Sequence, residues 1–185
     1  MKKQTNSLKM IALCIVTFLA FSLSSKTFAQ SANLEIAPQE YADLAEKAIN
    51  HLVKLDFDAW GVMLADDVEY NFPDGDVSTR TKLLGKKAVV EWWKNWVKTS
   101  GIISMTADEV NSLPINMLTV RKGGARKGYL VYSFFSNKLV FAKGSTALRM
   151  NFIAHFNADK KIDSYVTYYD RTPIIKAMGK DALKK

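Results

Sequence analysis

The side chains able to do chemistry in this chain are few. It has two histidines, His51 and His155, and one cysteine, Cys14. That leaves little for a histidine-based metal site and nothing for a multi-cysteine zinc or iron–sulfur centre, so neither a metal nor a cofactor is expected. A Gly-x-Ser-x-Gly elbow, a phosphate loop, a dinucleotide fingerprint and a helical pair of metal-binding histidines are all missing. Carboxylates and phenols remain. Asp170 ends a strand beside Tyr168 and Tyr169 and precedes Pro173; it is either an acid or the cap of a final helix. Tyr70 and Tyr165 are either pocket hydroxyls or ordinary strand residues with polar tips. Asp66 and Asp67 make an acidic pair at a helix end, where capping and solvation compete with acid–base work. His155 shares a strand face with Arg149 and Asn151, as a base beside a cation or as part of a solvated or dimer-facing sheet back. His51 lies off the apolar stripe of its helix and is expected to be exposed.

The hydrophobic period supplies the elements that must position these groups. From Tyr41 the apolar residues fall at 41, 44, 45, 48, 52 and 55, which is helical spacing. Asp56 and Asp58 break that helix, and a short second one follows over Ala59–Ala65. Val68–Phe72 alternates like a strand and stops at Pro73; Asp74–Leu84 reads as a loop. Gly85 opens a third helix and Gly101 ends it. Its apolar stripe holds Val89, Trp92, Trp93, Trp96 and Val97, and each tryptophan needs roughly 150–250 Å² of apolar cover.

Beyond Gly101 the period drops to two. It predicts strands over about 102–120, 127–137, 140–156 and 161–170, with turns at Lys122–Ala125, Ser136–Lys138 and Asn157–Lys160. Connections that short make an antiparallel meander. In the third of these strands Leu148, Met150, Phe152, Ala154 and Phe156 form an apolar face, and Arg149, Asn151, Ile153 and His155 a mixed one. The cluster Arg121, Lys122, Arg126 and Lys127 is a solvated hairpin tip. A last helix over Pro173–Met178 ends at Gly179. Helices first and a curled antiparallel sheet afterwards make an α+β chain.

The N-terminus has the three-part layout of a secretory signal peptide. Lys2, Lys3 and Lys9 precede the 14-residue apolar run Met10–Leu23, and small residues surround a cut after Ala29. As a helix that run spans about 21 Å, short of a roughly 30 Å membrane core. Removing 29 of the 185 residues, and with them four of the 26 basic ones, leaves 156 residues with 22 basic against 18 acidic and no cysteine. The expectation is a secreted or periplasmic protein of modest +4 charge, with no nucleic-acid partner and no stable membrane insertion after cleavage. The domain organisation expected is a signal peptide over 1–29, a lead-in over 30–39 and one domain over 40–185.

The stretch Leu55–Asp76, LDFDAWGVMLADDVEYNFPDGD, resembles the nuclear transport factor 2-like superfamily, in its SnoaL-like and ketosteroid-isomerase-like branch. Gly85-Lys86-Lys87-Ala88 is similar to that family's opening of the third helix, and Tyr168–Gly179 to its strand-Asp-helix-Gly ending. The resemblance implies a cone-shaped fold: N-terminal helices packed on a curved, mainly antiparallel sheet that encloses a pocket. The steroid isomerases use an Asp base, a Tyr donor and a second, protonated Asp. Here the matching positions hold Phe72, Ala48 and Phe152, so that mechanism is not expected.

Placed on such a cone, Phe72, Trp92, Trp93, Phe152, Tyr165 and Tyr169 are expected to line a pocket for a small hydrophobic or aromatic ligand, with Trp96 as pure core. The function expected first is therefore a small-molecule binding protein. A cofactor-independent isomerase, dehydratase or hydrolase using Asp170 or Tyr70 is the alternative. A dimeric assembly module with a vestigial pocket is a third reading, and a homodimer through the back of the sheet is expected in any case.

Overall fold

The computed structural model of the chain describes residues 33–120 and 126–184. The expected signal segment and the Lys122–Ala125 turn lie outside them. Every element among the described residues lies in the compact unit Leu34–Lys185. Strand β1 (Leu34–Ile36) falls within the expected lead-in and pairs antiparallel with β4 (Ile102–Met117).

Helix α1 (Gln39–Val53) buries Tyr41, Ala45, Ala48, Ile49 and Leu52 along one face, as the spacing predicts. It stops short of Leu55, whose left-handed backbone (φ 60°) returns its amide to the Leu52 carbonyl at 3.0 Å. His51 is half-buried rather than exposed, with Nδ1 3.5 Å from Asp56 Oδ2. Asp56 also caps α2 (Phe57–Val62), its Oδ1 accepting the Ala59 amide at 3.1 Å. The expected second helix, Ala59–Ala65, is placed too late because the sheet captures the chain early. The Met63 carbonyl accepts the Ile162 amide at 2.9 Å, and β2 (Leu64–Asn71) begins next. Asp66 and Asp67 are thus exposed strand residues where the β2–β7 register slips, not a helix end, and Asp66 pairs with Lys86 at 2.5 Å.

A loop then leads to β3 (Lys82–Leu84), and α3 (Lys86–Ser100) follows Gly85 and stops at Gly101 in the left-handed region (φ 73°). Strands β5 (Gly128–Phe141), β6 (Gly144–Phe156) and β7 (Ile162–Tyr168) continue from β4 as the expected antiparallel meander, before α4 (Thr172–Met178). The β5–β6 turn falls at Ala142–Lys143, not at Ser136–Lys138. Ser, Asn and Lys in a row look like a turn, but the sheet overrides composition there. Asn137 pairs with Ala107 on one side and Leu148 on the other, and its Nδ2 donates to the Thr106 carbonyl at 3.1 Å.

Among the described residues these strands form one seven-stranded sheet in the order β1-β4-β5-β6-β7-β2-β3, with β2 and β7 parallel and every other pair antiparallel. The helices cover one face, and the core between holds Trp60, Tyr70, Phe72, Trp93, Phe135 and Phe152. Trp60 is completely buried, its ring against those of Phe57, Tyr70, Trp93 and Tyr165 at centroid distances of 6.0–6.5 Å. Truncating a Trp packed on every side removes its transfer energy and leaves a hole. Trp60→Ala should therefore cost at least about 3–5 kcal/mol in a denaturant melt. A loss under about 1 kcal/mol would mean that α2 is not clamped by this ring.

Candidate functional site

Between α1, α3, α4 and the concave sheet face lies a cavity of about 60 Å³. Each wall comes from the periodicity of its own element. The apolar stripe of α3 contributes Trp92, Trp93 and Trp96, and the inward alternation of β5 contributes Phe135, Asn137 and Leu139. Met150 and Phe152 of β6 and Ile174, Ile175 and Met178 of α4 complete the wall. At this size it admits a few waters (each needs roughly 10–15 Å³) rather than the roughly 300–1,000 Å³ of a typical ligand pocket.

Phe72, Trp92, Trp93, Phe152 and Tyr169 stand in the wall, as expected. Tyr165 does not: it lies behind the wall, packed on Trp60, Tyr70 and Phe152. Trp96, expected as core alone, also lines the cavity and meets Trp93 and Phe141. Trp93 is the more enclosed of the two, against Phe57, Trp60, Tyr70, Trp92 and Trp96. Phe72 and Phe152 are buried apolar rings in this wall, and Ala48 is fully buried in α1.

Neither candidate acid reaches the cavity. Asp170 is exposed, and its Oδ1 accepts the Thr172 amide at 2.8 Å, which holds its carboxyl below the ordinary carboxylate range. The N-cap of α4 is Arg171, so Asp170 serves the first helical amide from one residue further out, close to the capping reading. Tyr70 is wholly buried, and burial pushes its phenol well up. Its hydroxyl lies near the Thr167 side chain, whose Oγ1 donates to the Asn71 carbonyl at 2.9 Å, and it makes no hydrogen bond among the described residues.

The polar groups that do line the cavity escaped the sequence reading. Asn137 is buried in the wall. With Nδ2 spent on the Thr106 carbonyl, its Oδ1 has no partner. An amide flip would set two acceptors face to face, so this orientation is fixed by the sheet. Trp93 Nε1 is likewise buried and unpaired. Arg171, just before α4, and Asp181, just after it, meet through Nη2 and Oδ1 at the cavity edge. Burial opposes the charge on Asp181, but the Leu183 amide and Arg171 outweigh it and hold the carboxyl below its ordinary range. Burial pushes the Tyr169 phenol far above its own. Asn137 looked like turn composition, and Asp181 lies beyond the last periodic element, so neither carried a signal.

The back of the sheet has a second concavity, of about 410 Å³, edged by Glu69, Lys82, Arg126, Tyr132, His155 and Tyr168. His155 is buried there, contrary to its solvated reading. Its Nδ1 is 2.5 Å from Asp163 Oδ1, and its Nε2 is 2.9 Å from the Lys127 carbonyl. With both ring nitrogens engaged, it has none free to act as a base. Gly128 makes this fit possible, since a Cβ there would come within 3.0 Å of Nε2. Among the described residues no three His, Cys, Asp or Glu side chains gather to hold a metal.

No family model and no curated protein matches the chain. Solved structures do match in fold. A protein named as a SnoaL-like polyketide cyclase from Shewanella putrefaciens is 12% identical with a TM-score of 0.55, over 77% of this chain and 98% of that one. An LEH-like epoxide hydrolase from M. tuberculosis is 17% identical with a TM-score of 0.53, over 76% and 90%. A nuclear transport factor 2-like protein of unknown function from Burkholderia pseudomallei is 16% identical with a TM-score of 0.55, over 75% and 96%. The chain has the α+β cone fold of these proteins, as the resemblance implied.

The orphaned Tyr70 hydroxyl gives a direct check on its role. Removing an unpaired buried hydroxyl relieves a desolvation penalty of roughly 1–3 kcal/mol. Tyr70→Phe should melt at equal or higher denaturant and leave ligand binding unaltered. A marked loss of stability, or of binding, would restore Tyr70 as a working polar group.

Proposed function

We propose that this cone is an exported binding protein for a small apolar or aromatic molecule. The observation that carries the reading is the wall itself: tryptophan, phenylalanine and methionine side chains together with the buried amide of Asn137, whose Oδ1 has no partner among the described residues. A buried acceptor left unpaired costs roughly 1–3 kcal/mol, which a ligand hydroxyl or N–H relieves on binding. Acid–base catalysis has less support, because Asp170 and Tyr70 are outside the cavity and Asp181 is held by Arg171. The solved neighbours carry names ranging from cyclase to hydrolase, so the shared fold does not choose a reaction.

Export rests on the basic, apolar and small-residue order of residues 1–29. A homodimer through the sheet back rests on a row of side chains in register across four strands: Leu113, Tyr132, Ile153 and Val166. Leu113 of this row is 50% exposed, and Phe134 and Tyr168 beside it are 47% and 49% exposed, an apolar surface that a second copy would cover.

Two measurements follow. In a fluorescence titration, 2-naphthol should bind saturably. Trp92→Ala, a half-buried wall ring between Phe72 and Trp93, should weaken it fivefold or more, about 1 kcal/mol, with little effect on the melt. Unsaturable quenching that is equal in both proteins would remove the binding reading. Mass spectrometry of protein from its native host should give a chain starting near Gln30, and under native conditions a dimer. A chain retaining Met1, or a monomer at micromolar concentration, would overturn the corresponding part.

A further inference from the structure

The cavity is lined by one cation and one carboxylate, and both belong to the chain that frames its mouth. Gly179 ends α4 in the left-handed region (φ 77°), and the chain doubles back so that Asp181, Ala182 and Leu183 reach the cavity edge. Leu183 packs onto the core there. Asp181 meets Arg171 from the far end of the same short helix, and its Oδ1 also accepts the Leu183 amide at 3.0 Å. The two side chains are only 20% and 16% exposed, so this is a largely dehydrated ion pair at the rim of an apolar chamber.

The pairing is incomplete. A guanidinium presents five donors in a planar fork and is best met by both oxygens of a carboxylate. Among the described residues Asp181 meets it through a single Nη2–Oδ1 contact, while the same oxygen also serves Leu183. The segment that makes this partial match also forms part of the cavity wall, through Asp181, Ala182 and Leu183. Opening the chamber to a larger molecule means moving residues 180–183, and that strands Arg171. A neutral ligand would leave a half-buried cation unpaired, whereas a carboxylate replaces the one that departs and keeps the charge balance.

We infer that the site takes a monocarboxylate with an apolar or aromatic body: the carboxylate docks on Arg171 in place of Asp181, and the body enters the tryptophan-lined cavity. The inference rests on the binding reading above and names its ligand class. Asp181 is then an internal stand-in for the ligand's own carboxylate, and ligand and tail compete for one cation.

The experiment is calorimetric titration of the full mature chain with 2-naphthoate and with 2-naphthamide, which has the same shape without the charge. Naphthoate should bind about tenfold tighter or better, the scale of one charge-assisted contact. Asp181→Asn keeps an acceptor for the Leu183 amide but frees Arg171. It should tighten naphthoate by a further several-fold and leave naphthamide nearly unchanged. Arg171→Gln should abolish the preference. Should that variant fail to fold, the Asp181→Asn comparison still decides the matter. Equal affinity for the two probes in the wild type and in Asp181→Asn would overturn the carboxylate inference while leaving a binding cavity intact. No binding of either probe to either protein would overturn both.

Discussion

Aromatic packing around Trp93, stacked on Phe57 and edge-to-face with its other neighbours, is the interaction on which the rest of the structure depends. Its ring touches Phe57 and Trp60 of α2, Tyr70 of β2, and Trp92 and Trp96 of its own helix. Each such pair adds about 0.5–1.5 kcal/mol beyond the area it buries. Through this one ring, two helices are fixed against the strand that closes the sheet to β7. Rings of this size do not tile a concave surface completely, and the space they leave is the cavity. Trp93 therefore both stabilises the fold and forms part of the site, and a substitution there acts on both.

Most of the fold was legible because the chain states its periods openly. The stripe of α1, the Gly85 and Gly101 boundaries of α3, the Asn157–Lys160 turn and the final helix all follow from local chemistry. The misreadings share a cause. At Ala65 and at Ser136–Lys138 the local residues favour one structure and the sheet imposes another: the chain is captured by Ile162 in the first case and flanked by Ala107 and Leu148 in the second. Pairing partners some 10 to 100 residues away leave no mark in a short window.

The site was legible in part and for the same reasons. Trp92, Trp93 and Phe152 fall on faces that spacing predicts. Tyr165 has the right parity but lies one layer deeper, and parity does not report depth. The polar groups of the cavity were hidden. Asn137 looked like part of a turn, and Asp181 became a partner for Arg171 only because Gly179 reverses the chain. A related limit applies to function, since proteins of this fold carry names that span cyclase and hydrolase. The distinction rests on which polar side chains line the cavity, and here those are Asn137, Tyr169, Arg171 and Asp181 beside the tryptophans.

The central claim is that a ligand enters the tryptophan-lined cavity and not another surface. The chain has four tryptophans, and their indole N–H groups report separately in a proton–nitrogen correlation spectrum. Trp92, Trp93 and Trp96 line the cavity, whereas Trp60 is buried behind it. On addition of 2-naphthol the account predicts that the Trp92 and Trp93 signals shift most, in a saturable way, and that Trp60 shifts least. Four indole signals that stay still while the shifts gather on the exposed sheet back at Phe134 and Tyr168 would contradict it.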